Sequence, residues 1–141
     1  MKTSESIENL TKALSKSHKE LKSFTVDKEG YNFKYLTLSK IYEVALPVLS
    51  SNGLALTSSS SVFVRDALPW VKVITTLCFG NEFIKNELCF PLIEPTKKTD
   101  SDVMMLGSTI SYLTRYNVQS LLSIAGSDKD AEQMQIENIN Q

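Results

Sequence analysis

Residues 69–92 read PWVKVITTLCFGNEFIKNELCFPL, and this stretch decides the fold. Two runs of alternating apolar and polar residues, rich in β-branched and aromatic types, flank Gly80-Asn81, a dipeptide suited to a tight hairpin turn. A two-residue turn sets residue 79 opposite residue 82, and every other pair follows. Val71, Val73 and Leu77 then face Phe90, Leu88 and Ile84 and form an apolar side. The other side pairs Lys72 with Cys89, Ile74 with Glu87, Thr76 with Lys85 and Cys78 with Phe83. Two lysines near a phenylalanine suit contact with a nucleic-acid backbone beside a stacking ring. They equally suit an ordinary charged sheet face, because Glu87 shares the row.

Outward from the hairpin, residues 54–64 make a further strand, with a polar run at 58–61. Residues 5–23 place Ile7, Leu10, Ala13, Leu14 and Leu21 near a helical period. A second helix starts at Thr37 or Ser39, either of which can cap it. Leu38, Ile41, Tyr42, Ala45, Leu46 and Leu49 form its apolar face. Pro47 is expected to bend or split it, and Asn52-Gly53 to stop it. Residues 25–33 read as a loop, and 31–35 as an extended segment with Tyr31, Phe33 and Tyr35 on one side and Lys34 on the other. A loop at 94–102 carries Lys97 and Lys98. Ser101 or Asp102 caps a last helix that runs to about Ala125 and ends at Gly126. The expected class is α+β in the order α-α-β-β-β-α: a three-stranded antiparallel sheet whose central hairpin packs on the C-terminal helix. One domain spans 1–126, with an N-terminal helix over 1–24 and a core over 33–126. The acidic, Asn/Gln-rich tail at 127–141 is expected to lack stable structure.

The last helix holds GSTISYLTRYNVQSLLSIAG at 107–126. It is apolar on most sides yet places Arg115 between Tyr112 and Tyr116. An unpaired guanidinium is costly to bury. Arg115 therefore has an internal carboxylate, with Glu43 and Glu87 as candidates, an exposed edge, or an external anion. Tyr112, three residues earlier, shares its helical face; Tyr116 is expected to pack inside.

Net charge is −1 and unevenly spread: +2 over residues 1–22, 0 over 23–126 and −3 over 127–141. A strongly basic nucleic-acid binder is excluded, so any polyanion site is local or assembled from several subunits. No apolar run spans a membrane and the N-terminus lacks a signal-peptide core, which points to the cytoplasm. Cys78 and Cys89 are the only cysteines; the hairpin register separates them by roughly 20 Å, beyond disulfide reach. His18, the only histidine, falls on a polar helix face, where solvation explains it better than catalysis or zinc. No phosphate-cradling glycine loop is present, and no acid–base or nucleophile set is visible. Asp128 and Asp130 are better read as solvated carboxylates than as a cation site.

Three blocks together carry a resemblance: FKYLTLSKIYEVALPVLSSNGLALT at 33–57, the hairpin ending in CFPLIE at 89–94, and GSTISYLTRYNVQSLLSIAGSDKD at 107–130. Their order and spacing resemble the Erf (essential recombination function) family of single-strand annealing proteins, mostly phage-encoded. The third block is the most specific: Gly-Ser, Ile-Ser-Tyr, Arg-Tyr, a Leu-rich stretch and two aspartates. The chain departs from the family at Thr114, where a second basic residue is frequent, at Ser111, where Thr is usual, and at Met104-Met105, where Gln is frequent.

The resemblance implies a β-β-β-α core and ATP-independent pairing of complementary single strands, with no catalytic residue and no bound cofactor. Mg²⁺ would enter only as a solution requirement. It implies a homo-oligomeric ring or filament in the cytoplasm of a bacterial host, single-stranded DNA as ligand, and a host single-strand-binding protein or a phage exonuclease as further partners. On this reading Arg115 holds a phosphate, Lys72 and Lys85 contact the backbone from the hairpin, Lys34, Lys97 and Lys98 stand at the rim, and Tyr112 stacks on a sugar or base. The alternatives are a double-stranded-RNA-binding-like module and a non-catalytic oligomerisation or adaptor protein.

Overall fold

A computed structural model describes residues 1–26, 37–92 and 101–125. The chain is α+β. Its elements are β1 (Lys2–Thr3), α1 (Glu8–Val26), α2 (Leu38–Ser51), β2 (Ala55–Arg65), β3 (Leu68–Phe79), β4 (Glu82–Pro91) and α3 (Asp102–Leu122). The sheet has four antiparallel strands in the order β1-β4-β3-β2, not the three expected. The element order thus opens with a strand that the α-α-β-β-β-α reading lacks. Two residues, Lys2 and Thr3, pair with Lys85 and Ile84. Ser4 secures them: its N–H donates to Phe83 O at 2.9 Å, and its Oγ accepts from Phe83 N–H at 2.8 Å.

The hairpin register is the expected one, Phe79 opposite Glu82. Alternation then divides the sheet into two faces. Val71, Val73, Thr75 and Leu77 are buried, and the helices cover this side. Leu77 joins Leu10, Leu21, Ile41, Ala45, Leu49, Leu54, Val118 and Leu122 in the main core. Val71 and Val73 meet Leu113 in a second cluster, with Leu88, Leu92, Leu106 and Ile110 packed against it. The opposite face carries no helix among the described residues.

Local chemistry explains the boundaries. Thr37 caps α2, its side chain accepting from Lys40 N–H. Pro47 lies inside α2, which continues to Ser51 and is not split. After Asn52, Gly53 N–H donates to Ser50 O at 3.0 Å and Leu54 N–H to Leu49 O at 2.9 Å. This pair of bonds is a Schellman motif, whose left-handed residue is glycine here. Gly53 has φ +78°, and a Cβ there would meet Phe79 Cε2 at 3.0 Å. Ser101 caps α3. That helix ends at Leu122, short of the expected Gly126, because Ser123 turns left-handed at φ 56°.

β2 joins β3 through Asp66 and Ala67, with φ of 52° and 62°. Arg65 pairs directly with Leu68, so this is a two-residue hairpin loop with positive φ at both central positions, as a type I′ turn requires. Aspartate tolerates that region, but alanine does not favour it. Ala67→Gly relieves a left-handed alanine and is expected to raise stability by about 0.5–1 kcal/mol, after allowing for glycine's greater unfolded-state entropy. A urea midpoint no higher than wild type would contradict this.

α1 is anchored by a carboxylate far along the chain. Glu82 accepts from Leu10 N–H at 3.1 Å and from Asn9 Nδ2 at 2.8 Å, so it caps the first turn of α1 from the hairpin. The Leu10 bond, aided by Asn9, holds the Glu82 carboxyl below the usual glutamate range. A lowered folded-state pKa means stabilisation that is present above the unfolded value, about 4.3, and lost as pH falls through the folded value. Glu82→Gln is therefore expected to lower the urea midpoint at pH 7 and to flatten its decline as pH drops from about 5 toward 3. Wild-type and variant midpoints that fall in parallel would refute the capping role.

Candidate nucleic-acid interface

The face left bare by the helices collects cations and rings. Strand alternation places Lys2, Arg65, Lys72 and Lys85 on it, with Glu87 as the one carboxylate among the paired strand residues. Phe63 and Trp70 are cross-strand partners, stacked with centroids 6.2 Å apart and planes at 30°. The Arg65 guanidinium lies 4.9 Å from the Trp70 ring and 5.3 Å from Phe63. Lys72 Nζ sits 5.4 Å from the Phe63 ring, and Lys85 Nζ 4.9 Å from Phe83. These are cation–π distances. Lys72 also pairs with Glu87 at 3.1 Å, both partly exposed, so one of the four cations is partly neutralised. Surface pairs of this kind are weak and leave Lys72 able to exchange partners.

Arg115 is elsewhere. α3 buries Leu113, Thr114, Asn117, Val118, Leu121 and Leu122 against the other sheet face, which puts Arg115 on the layer opposite Lys72 and Lys85. The structure therefore does not bring these three residues into one groove. Arg115 is half-buried, its guanidinium 5.2 Å from the Tyr112 ring and 5.1 Å from Tyr116. It donates to the Tyr116 hydroxyl at 3.4 Å. Tyr116 is 49% exposed, against the expectation that it packs inside, and Tyr112 is 52% exposed. Packing on α3 is one-sided, so the arginine occupies a flank of the helix rather than the core: its Nε is enclosed, while Tyr112 and Tyr116 beside it are exposed. It lines an open cleft with Thr37, Leu38, Ser111 and Tyr112. Of the two carboxylates named as candidates, Glu87 pairs with Lys72 across the sheet and Glu43 with Lys40 at 3.3 Å.

Lys34, Lys97 and Lys98 lie outside the described residues, as do the aromatic segment 31–35, most of the loop at 94–102 and the tail with Asp128 and Asp130. Cys78 and Cys89 are free and half-buried. His18 is less solvated than expected: it is half-buried, and its Nε2 is enclosed. Among the described residues no group of His, Cys, Asp or Glu is arranged to hold a metal ion, and no helix is long and apolar enough to cross a membrane.

Phe63, Arg65 and Trp70 were not singled out from the sequence. The signal that could have found them is the pairing of β2 with β3, which hangs on Asp66-Ala67, a turn without glycine or asparagine.

No solved structure and no curated protein matches the chain. A family model does: that of the ERF superfamily, over residues 4–141, nearly the full length and including all three sequence blocks. The chain belongs to the ERF superfamily.

Proposed function

We propose that this protein binds single-stranded DNA and anneals complementary strands in recombination, without ATP, a bound cofactor or a catalytic residue of its own. The observation that supports it best is the helix-free sheet face, where Lys2, Arg65, Lys72 and Lys85 stand beside Phe63, Trp70 and Phe83. Cations that track phosphates and rings that accept any base bind a strand without reading its sequence. A phosphate held from below and a base held by its flat face leave the pairing edge free, which annealing requires. Membership of the ERF superfamily agrees with a recombination role.

A subunit of net charge −1 binds a polyanion weakly, so many linked copies are needed along one strand. The surface suits assembly of a homo-oligomer. β2 is a sheet edge with no charged residue before Arg65, and uncharged edges invite strand pairing. Val62, Val64, Phe90, Val103 and Met104 are exposed apolar side chains. The Arg115–Tyr112 cleft, on the other layer, supplies a second anion contact for a strand passing between copies. A host single-strand-binding protein or a phage exonuclease acts as supplier of the strand, in the cytoplasm of the host.

Mixing complementary oligonucleotides without ATP tests this, in the presence and absence of Mg²⁺. The protein is expected to accelerate pairing under at least one of these conditions; no acceleration under either would refute the annealing function. Glu87→Gln releases Lys72 and removes a charge that repels phosphate, and is expected to tighten single-strand binding by roughly two- to tenfold at low salt. Unchanged or weaker binding would place the strand elsewhere.

A further inference from the structure

We propose that Phe63, Arg65 and Trp70 form a nucleobase-stacking site on the outer face of the sheet, a site whose ligand is an unpaired base of a single strand. The inference rests on the single-strand reading above and adds where the base is held, and by which groups.

The three side chains come from two adjacent strands and are held by backbone pairing rather than by a loop: Phe63 opposite Trp70, and Arg65 opposite Leu68. Their register is therefore fixed. The Phe63–Trp70 stack is half-buried and lies on the side away from the core, so it is not core packing. Arg65 is exposed, with its guanidinium 4.9 Å from the Trp70 ring. A guanidinium held over an indole presents a planar, cationic surface to solvent. Bases stack on arginine planes as they do on aromatic rings. Arg65 lies against both rings, so a base either stacks on the outer side of the guanidinium or takes the place of Arg65 against the indole. Lys72, beside the Phe63 ring at 5.4 Å, meets the adjoining phosphate. The Trp70 Nε1–H is buried without a hydrogen-bond partner among the described residues. Such a donor is uncommon, and a bound strand satisfies it only where the side chains covering it move aside. The alternative, a cross-strand pair that only steadies the hairpin, needs neither the exposed arginine nor the surrounding positive charge.

Trp70 is the only tryptophan, so emission excited selectively from tryptophan reports on this site alone. The full chain is titrated with oligo(dT), with an abasic strand of equal length and with a duplex. Binding is followed in parallel by anisotropy of labelled strands. Oligo(dT) is expected to quench Trp70. The abasic strand, with phosphates but no bases, is expected to bind more weakly and leave emission unchanged, and the duplex, with its bases stacked internally, to leave it unchanged. Phe63→Ala and Arg65→Ala are each expected to raise the Kd for oligo(dT), by roughly five- to a hundredfold for the lost ring. Arg65 is exposed, so its removal spares the fold even if Phe63→Ala does not, and circular dichroism checks both. If oligo(dT) binds with emission unchanged and Arg65→Ala binds as wild type, or if the abasic strand quenches equally, the stacking site is overturned and the single-strand reading stands. If labelled oligo(dT) does not bind, that reading fails and the stacking site with it.

Discussion

Asn117→Leu is expected to destabilise the protein by about 2–4 kcal/mol. Asn117 is fully buried in the C-terminal half of α3. Its Nδ2 donates to Val73 O at 3.0 Å, and its Oδ1 accepts from Asn86 Nδ2 at 3.1 Å. One side chain thus ties the helix to the backbone of β3 and to a side chain of β4. Leucine matches the volume but returns neither bond, and it leaves the Asn86 amide facing an apolar neighbour. A buried polar group without its partner costs its desolvation. The melting temperature should fall by roughly 8–15 °C for a chain of this size. Asn86→Ala alone should cost less, because Asn117 keeps its bond to Val73. In the double variant the two losses should not add, since they share one bond. Additive losses would mean that the Asn86–Asn117 contact carries no coupling energy. A melting temperature near wild type for Asn117→Leu would mean that α3 is fixed by apolar packing alone.

The second large effect is on binding. Replacing both Lys72 and Lys85 by Ala is expected to weaken single-strand affinity by roughly ten- to a hundredfold at low salt, about 1 kcal/mol for each exposed cation–phosphate contact. The more telling quantity is the slope of log K against log salt. Each phosphate contact on a single strand contributes about −0.7 to it, so the double variant should be shallower by about 1.4. The weakening should be the same for all base sequences, because phosphate contacts carry no sequence information. Both lysines reach outward from central positions of paired strands, so the fold should survive. An unchanged slope would show that neither lysine meets a phosphate.

Much of this arrangement was legible in the sequence, and what was not has particular causes. The β3–β4 register followed from Gly80-Asn81, because a two-residue turn leaves one pairing. The α2 cap at Thr37 and its glycine stop followed from side-chain and backbone chemistry. β1 was invisible: two residues carry no periodicity, and Lys2 and Thr3 become a strand only because β4 offers an edge. The end of α3 was misplaced because Ser123 adopts a left-handed conformation that composition assigns to Gly126. The site was half legible. Alternation put Lys72 and Lys85 on the polar side, and the same alternation sends the helix to the apolar side. Grouping Arg115 with the two lysines overlooked that consequence. Phe63, Arg65 and Trp70 were missed because their meeting depends on Asp66-Ala67, where strained backbone does the work usually given to glycine. The family resemblance drew on blocks that lie mostly outside these three residues, so it could identify the chain without pointing to this face.

On the proposed function, single-stranded DNA lies on the bare sheet face. Hydroxyl-radical footprinting of the full chain, with and without oligo(dT), tests it directly, since aromatic side chains on both layers serve as reporters. Strand binding is expected to protect Phe63, Trp70 and Phe83, with any protection of Tyr112 and Tyr116 secondary. Protection confined to Tyr112 and Tyr116, with the three sheet-face aromatics as reactive as in the free protein, would contradict it.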